Sequence, residues 1–280
     1  MKIAIGNARC RHICSRANAG FRIALGFGVL LAAGLIFSAP ASFAGEPIFQ
    51  HSYPLTAGGS FLLENVNGSV QVEGWDRNEV EVRAVKMTER NEDDADGVKI
   101  DVENDPGQVA VRTHYPQGQS GEIAVEYHVY VPSRVLLSGV GTVNGSVSVS
   151  GVDGSGDLRS VNGNVEVLNS SGRFSAKTTN GNLRLELRRL SEGAPMDIET
   201  VNGSVTLGLP SDAHADLDVL NMNGNFSSDL PITAKAGSPS GRVFRATLGT
   251  GGSEILVRTV NGGIHLFLEA PRASGSRQQG

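Results

Sequence analysis

Asn-Gly pairs recur seven times along this chain in one fixed phase, centred on Asn67, Asn144, Asn162, Asn180, Asn202, Asn223 and Asn261 and followed by Gly68, Gly145, Gly163, Gly181, Gly203, Gly224 and Gly262. Four places before the Asn stand Leu63, Val140, Leu158, Ala176, Ile198, Val219 and Val257, and three places after it Val70, Val147, Val165, Leu183, Val205, Phe226 and Ile264. All fourteen are apolar. A sequence self-similar at a short period is one supersecondary unit repeated, each copy burying its apolar side against its neighbours. From Asn144 onward the Asn-to-Asn steps are 18, 18, 22, 21 and 38 residues, and the last spans close to two ordinary units. Ser240-Gly241 falls where a degenerate pair would stand, so one unit that has lost its Asn is expected there. Gly turns at 151–156 and at Ser170-Ser171-Gly172 divide the clearest units into two strands and two turns.

Two all-β architectures fit. Asn-Gly between alternating strands is a strong hairpin signal, because both residues tolerate positive φ, and this would give an up-and-down β-meander sandwich. Alternatively each unit is one coil of a β-solenoid, right-handed and β-helix-like, with Asn-Gly at a corner. In a meander, equivalent residues lie two strands apart, roughly 9.6 Å, and nothing requires them to be alike. In a solenoid they stack at about 4.8 Å, so identical Asn side chains can bond in a ladder and identical aliphatic residues fill a continuous core. The small polar residues two places before each Asn (Asn65, Thr142, Ser160, Thr178, Thr200, Asn221, Thr259) suit the same stacking. The uniformity favours the solenoid.

Residues 1–44 read as an export signal: Lys2, Arg9, Arg11, Arg16 and Arg22, then an apolar run from Ile23 to Phe37, then a small-residue exit at Ser42 and Ala44. The rival reading is a retained signal anchor, against which the run is about 15 residues where a spanning helix wants about 20. Both cysteines, Cys10 and Cys14, lie in this segment, so the remainder would carry no disulfide. Residues 45–280 hold 19 basic and 29 acidic residues, a net charge of −10, which argues against nucleic acid as a partner. Residues 45–134 read as a region of longer antiparallel strands with hairpins and an acidic connection between Thr88 and Gly97. Residues 135–270 read as the solenoid repeats, and 271–280 as a disordered tail.

The runs TVNGSVSVSGVDGSGDLRSVNGNVEVLNSSG from Thr142 to Gly172, ETVNGSVTLGLP from Glu199 to Pro210 and ATLGTGGSEILVRTVNGGIHL from Ala246 to Leu266 resemble the bacterial putative-adhesin family. This family is also described as a domain of unknown function and is related to the head domains called GIN. The resemblance covers roughly residues 60–268. It implies a β-helix-like fold, an envelope or surface location and an adhesive role, and it brings no catalytic residues.

Chemistry sought in the residues is sparse. The repeat acids Asp153, Asp157, Glu166, Glu186, Asp197, Glu199, Asp216 and Asp218 do not align on one face, where glycosidase chemistry needs two carboxyl groups about 5 to 10 Å apart. Trp75 is the only Trp. Glu92, Asp94, Asp96, Gly97 and Glu103 match a calcium-loop spacing, but strand patterns flank them where helices should. His51, His114, His128, His214 and His265 show no metal or nucleophile spacing. Gly249 to Gly252 precedes a strand rather than a helix, unlike a phosphate-binding loop. No catalytic, cofactor or metal site is therefore expected, and the expected function is an exported, non-enzymatic interaction surface. Its partner would be an envelope protein or a surface polymer, met in the periplasm or at the cell surface. The alternatives are a carbohydrate-active β-helix enzyme and a periplasmic partner of a membrane sensing system.

Asn-Gly is prone to succinimide formation in a flexible chain, so ordered stacking should protect these pairs. Mass spectrometry of aged native protein should show all seven Asn deamidating much more slowly than in urea-unfolded chain; equal rates would remove the case for an ordered ladder.

Overall fold

The computed structural model describes residues 49–88, 97–116, 123–191, 195–234 and 242–269, all within the unit that spans Ala44–Gly280. The export signal with its two cysteines, most of the acidic connection, Ser240-Gly241 and the tail lie outside the described residues. No α-helix occurs among the described residues. The strands are β1 (Phe49–Pro54), β2 (Ser60–Glu64), β3 (Val70–Trp75), β4 (Glu79–Thr88), β5 (Lys99–Asp105), β6 (Gln108–His114) and β7 (Ile123–Pro132). They continue with β8 (Leu136–Gly141), β9 (Val147–Ser150), β10 (Asp153–Arg159), β11 (Val165–Asn180), β12 (Leu183–Leu190), β13 (Met196–Asn202) and β14 (Val205–Leu209). The last are β15 (Ala215–Asn223), β16 (Phe226–Ser228), β17 (Ile232–Ala234), β18 (Val243–Leu248), β19 (Ser253–Asn261) and β20 (Ile264–Leu268).

The strands build a two-faced β-solenoid. On one face β6, β2, β8, β10, the second half of β11, β13, β19 and β15 pair in that order, every pair parallel. On the other, β7, β3, β9, the first half of β11, β12, β14, β20 and β16 do the same. Each Asn-Gly joins a strand of the first face to a strand of the second. Parallel pairing throughout excludes the meander, in which neighbours would run antiparallel.

Thirteen of the fourteen apolar positions flanking the Asn are at most 1% exposed; Phe226, in the short edge strand β16, is half-buried. Burial of each such Val, Leu or Ile contributes about 1.5–3 kcal/mol, so the repeat is held by two continuous aliphatic rows rather than by any one coil.

Three features depart from the sequence reading. Coil order does not follow chain order: the coil of Asn261 lies between those of Asn202 and Asn223, because β19 inserts between β13 and β15. Likewise the coil of Asn67 lies between β6/β7 and the coil of Asn144, so the parallel stack begins well before residue 135, and only β1, β4 and β5 are antiparallel at that end. The long step from Asn223 to Asn261 holds no further parallel coil among its described residues; β18 runs antiparallel to β15 and β17 antiparallel to β18. Third, Ser170 to Gly172 is no turn between strands. The 16-residue β11 passes through it, bent at Asn169 (φ 51°) and Gly172 (φ 125°), and serves both faces.

The glycine of each pair is required by crowding more than by φ. Gly163, Gly181 and Gly203 do not sit in the left-handed region. A Cβ on Gly163 would lie 1.9 Å from the Gly145 carbonyl oxygen, and on Gly181 2.0 Å from that of Gly163. Those on Gly203, Gly262 and Gly224 would lie 1.9 to 2.0 Å from the carbonyl oxygens of Gly181, Gly203 and Gly262. Real Cβ atoms do not approach a backbone oxygen so closely, so the coils would have to separate.

Gly163→Ala should therefore cost about 3 kcal/mol or more in urea unfolding, as an overpacked site with no flexible neighbour. Gly139→Ala, whose Cβ would meet only Leu62 Cδ1 at 3.8 Å, should change stability by less than about 1 kcal/mol.

Candidate functional site

The Asn-Gly corner is where polar side chains of successive repeats share the same surroundings. Its Asn residues form a single ladder. Asn144 Nδ2 donates to Asn67 Oδ1 at 2.8 Å, Asn162 to Asn144 and Asn180 to Asn162 at 2.8 Å, and Asn202 to Asn180 at 2.9 Å. Asn261 then donates to Asn202 at 2.8 Å and Asn223 to Asn261 at 3.1 Å. Where the ladder ends, Asn67 Nδ2 donates to the Ile123 carbonyl at 3.3 Å, and the Tyr115 hydroxyl donates to Asn65 Oδ1 at 3.1 Å and the Asn67 carbonyl at 2.9 Å.

The small polar row lies buried beneath the ladder, and its members do not bond to one another as the stacking idea suggested. Thr142, Ser160, Thr178, Thr200 and Thr259 each donate to the Gly carbonyl of the neighbouring coil, at 2.8 to 3.0 Å. These are the same carbonyls that crowd the glycines. The two end coils use Asn instead: Asn65 donates to Val125 O at 2.8 Å, and Asn221 to Asn225 O at 3.2 Å.

Between buried hydroxyl and ladder, one residue per coil points outward. Val143, Val161, Val201, Val260 and Met222 are 37–41% exposed, Val66 is half-buried, and Thr179 alone among them is polar. Strand register places them side by side, so they form an apolar ridge one residue wide along the ladder. A shallow groove of about 520 Å³ runs between this ridge and a second row that includes Glu64, Gly141, Arg159, Lys177 and Glu199. Lys177 Nζ lies between Asp197 and Glu199, 3.3 Å from the latter; hydrogen bonding to Asp197 is the main influence holding the ammonium above the ordinary amine range. Glu64 pairs with Arg112 at 3.2 Å. The guanidinium groups of Arg159 and, further along the row, Arg258 have no ion pair or hydrogen bond among the described residues. The ridge and groove were not picked out from the sequence, although the hydrophobic residue before six of the seven Asn was a visible signal.

Contrary to the sequence expectation, six of the eight repeat acids, Asp153, Asp157, Asp197, Glu199, Asp216 and Asp218, share the first face on β10, β13 and β15, while Glu166 and Glu186 lie on the second. Asp153, Glu186 and Asp218 pair with Arg188, Arg184 and Arg245, and Asp216 accepts from Thr247. Of the calcium-like spacing, Glu92, Asp94 and Asp96 lie outside the described residues, while Glu103 pairs with Arg112 at 2.8 Å. Among the described residues no three His, Cys, Asp or Glu side chains gather where a metal could bind. His114 faces Asp101 and His128 faces Glu73, both at 3.1 Å, and His214 accepts from Thr250 N at 3.0 Å.

His265 lies 3.0 Å from Ser227 Oγ and 3.6 Å from Asp229, a Ser-His-Asp trio absent from the sequence reading. It lacks the geometry of a triad. The Ser meets Nδ1 rather than Nε2, the Asp is beyond hydrogen-bond reach, and both His265 and Asp229 lie open to solvent on a short edge. Trp75 stacks on Tyr130 with centroids 5.1 Å apart, lies under Arg77 at 4.6 Å, and donates from Nε1 to Glu79 O at 2.8 Å. Its ring and its N–H are thus already engaged.

A family model described as Toastrack DUF4097 matches residues 63–266, and the chain belongs to that family. Among solved structures, "a putative cell adhesion protein" from Clostridium sporogenes ATCC 15579 is similar at 12% identity and a TM-score of 0.48, covering 80% of this chain and 100% of that one. "A putative adhesin" from Bacteroides fragilis NCTC 9343 is similar at 10% identity and a TM-score of 0.31, covering 79% and 96%. "Putative lipid binding protein" from Parabacteroides distasonis ATCC 8503 is similar at 12% identity and a TM-score of 0.27, covering 80% and 97%. Among curated proteins no match is found.

The two polar layers of the corner can be tested apart from the ridge. Thr178→Val should cost about 1–2 kcal/mol in urea unfolding, since it removes the hydroxyl donated to a buried carbonyl. Thr179→Val, one residue on and exposed, should stay within about 0.5 kcal/mol of wild type.

Proposed function

We propose that this member of the Toastrack family is an exported, non-enzymatic, adhesin-like protein that uses its ridge and groove as an interaction surface in the cell envelope. The observation that carries this reading is the ridge itself. A column of Val and Met side chains is left 37–41% exposed in every repeat but those of Asn67 and Asn180, on a fold that buries its other aliphatic rows almost completely. Folding alone does not require an apolar residue there, since Thr179 occupies the same position in one coil without disturbing the ladder on either side. Contiguous apolar surface rimmed by polar groups marks an interaction site. Extended repeat surfaces of this kind bind through many weak contacts spread along the stack rather than through one pocket.

The export reading of residues 1–44 supports an envelope location, and the partner is an envelope protein or a surface polymer. Engaged carboxylates and the open trio at His265 support a role in binding rather than bond cleavage.

Retention on washed envelopes of producing cells tests the reading. The full-length chain should be retained, and a Val143→Asp, Val161→Asp double variant should wash off while keeping its melting temperature. Equal retention of the two proteins would count against the ridge. Release of soluble product from polyuronide or peptidoglycan by the purified wild-type protein would count against a non-enzymatic role.

A further inference from the structure

Deepening that reading and resting on it, we propose that the strip running from the Asn ladder across the ridge into the groove on its other side is a binding track for an extended carboxylated polysaccharide.

The hydrogen-bonding capacity of the ladder comes first. An Asn amide offers two N–H donors and two carbonyl lone pairs. Inside the ladder each amide uses one of each, so every inner coil presents one N–H and one lone pair to solvent, repeated at about 4.8 Å. A hydroxyl is both donor and acceptor, so a chain bearing hydroxyls on successive units can meet this array without leaving either side unpaired. The adjoining ridge is apolar, and a pyranose ring presents C–H faces alongside its hydroxyl edges. Ridge and ladder together match that amphipathic pattern, and one coil step is close to the length of one sugar ring.

Charge on the far wall of the groove selects the acidic class. The acids there are already engaged, Glu64 by Arg112 and Glu199 by Lys177. The cations without partners among the described residues are Arg159 and Arg258, three coil steps apart, or about 14 Å. Gly141 stands directly beside Arg159 in the row and has no side chain, leaving the guanidinium accessible from the groove. A guanidinium pairs with a carboxylate through two parallel hydrogen bonds. Counted with Glu199 and Asp197, which share Lys177, the wall is close to neutral, so selection for carboxylate rests on these two guanidinium groups and not on net charge.

Protein partners fit less well. The strands of the inner coils are paired on both sides, so no backbone edge is open in the groove for an added strand. A ridge one residue wide offers a few hundred Å², short of the roughly 800 Å² per partner of a stable protein interface.

The test uses the full-length chain in isothermal titration against polygalacturonate, the same polymer with its carboxyl groups reduced, and dextran. Polygalacturonate should bind, and binding should weaken with added salt, while the reduced polymer and dextran bind at least tenfold more weakly. The double variant Arg159→Gln, Arg258→Gln should lose about tenfold in affinity with an unchanged melting temperature, as should Val161→Asp. Arg189→Gln, outside the groove, should match wild type. Absence of polygalacturonate binding, equal binding of the reduced polymer, or indifference to the paired arginine substitution would each overturn the proposal. If that happens while the Val143→Asp, Val161→Asp variant still washes off envelopes, the glycan assignment fails and the interaction surface stands.

Discussion

The contact on which this fold depends is the approach of one glycine carbonyl to the next coil's glycine. Each such oxygen occupies the volume a side chain would need, and in the five inner junctions it also accepts the buried hydroxyl of the coil that crowds it. Glycine, hydroxyl and ladder Asn are therefore one device with three parts. The glycine lets the backbones close to strand spacing. The hydroxyl gives the carbonyl its hydrogen bond in a dry environment, and closure brings the Asn amides within hydrogen-bond reach of each other. A change to any one part acts on the other two.

A parallel stack ends in open edges, which invite pairing with other chains. This chain closes them with its non-repeating segments. At one end β5, with Lys99, Asp101, Glu103 and Asp105 on its length, lies antiparallel on β6, and β1, ending in Pro54, lies on β4. At the other, β18 and the three-residue β17 cover β15, leaving β16 as a short edge. The end coils replace the buried hydroxyl by Asn, whose longer side chain reaches backbone carbonyls of its own corner or of β7.

Function on this scaffold follows from what the corner leaves over. The ladder consumes half the capacity of each amide, and the core consumes every aliphatic row but one. What remains exposed is periodic: an amide and, in most coils, an apolar residue at a fixed step. On the proposed reading, such a surface would meet a periodic partner, with affinity accumulating along the track instead of residing in one residue.

The sequence by itself determined the solenoid, because a phase-locked pattern of identical small residues has a use only where equivalent positions touch; the apolar positions four before and three after each Asn told which residues fill the core. It did not determine the order of the coils. Val257 and Val219 carry the same local signals, so nothing local says that β19 rather than β15 lies on β13; that choice depends on the antiparallel β17–β18 excursion between them, a long-range constraint. The ridge was written in the residue before each Asn, yet its exposure was decided only when the strands aligned, since period two alone does not say which side of a corner faces water. That Arg159 and Arg258 have no ion pair among the described residues likewise belongs to tertiary structure, because Glu64 and Glu199 find their cations on neighbouring coils that are distant in sequence.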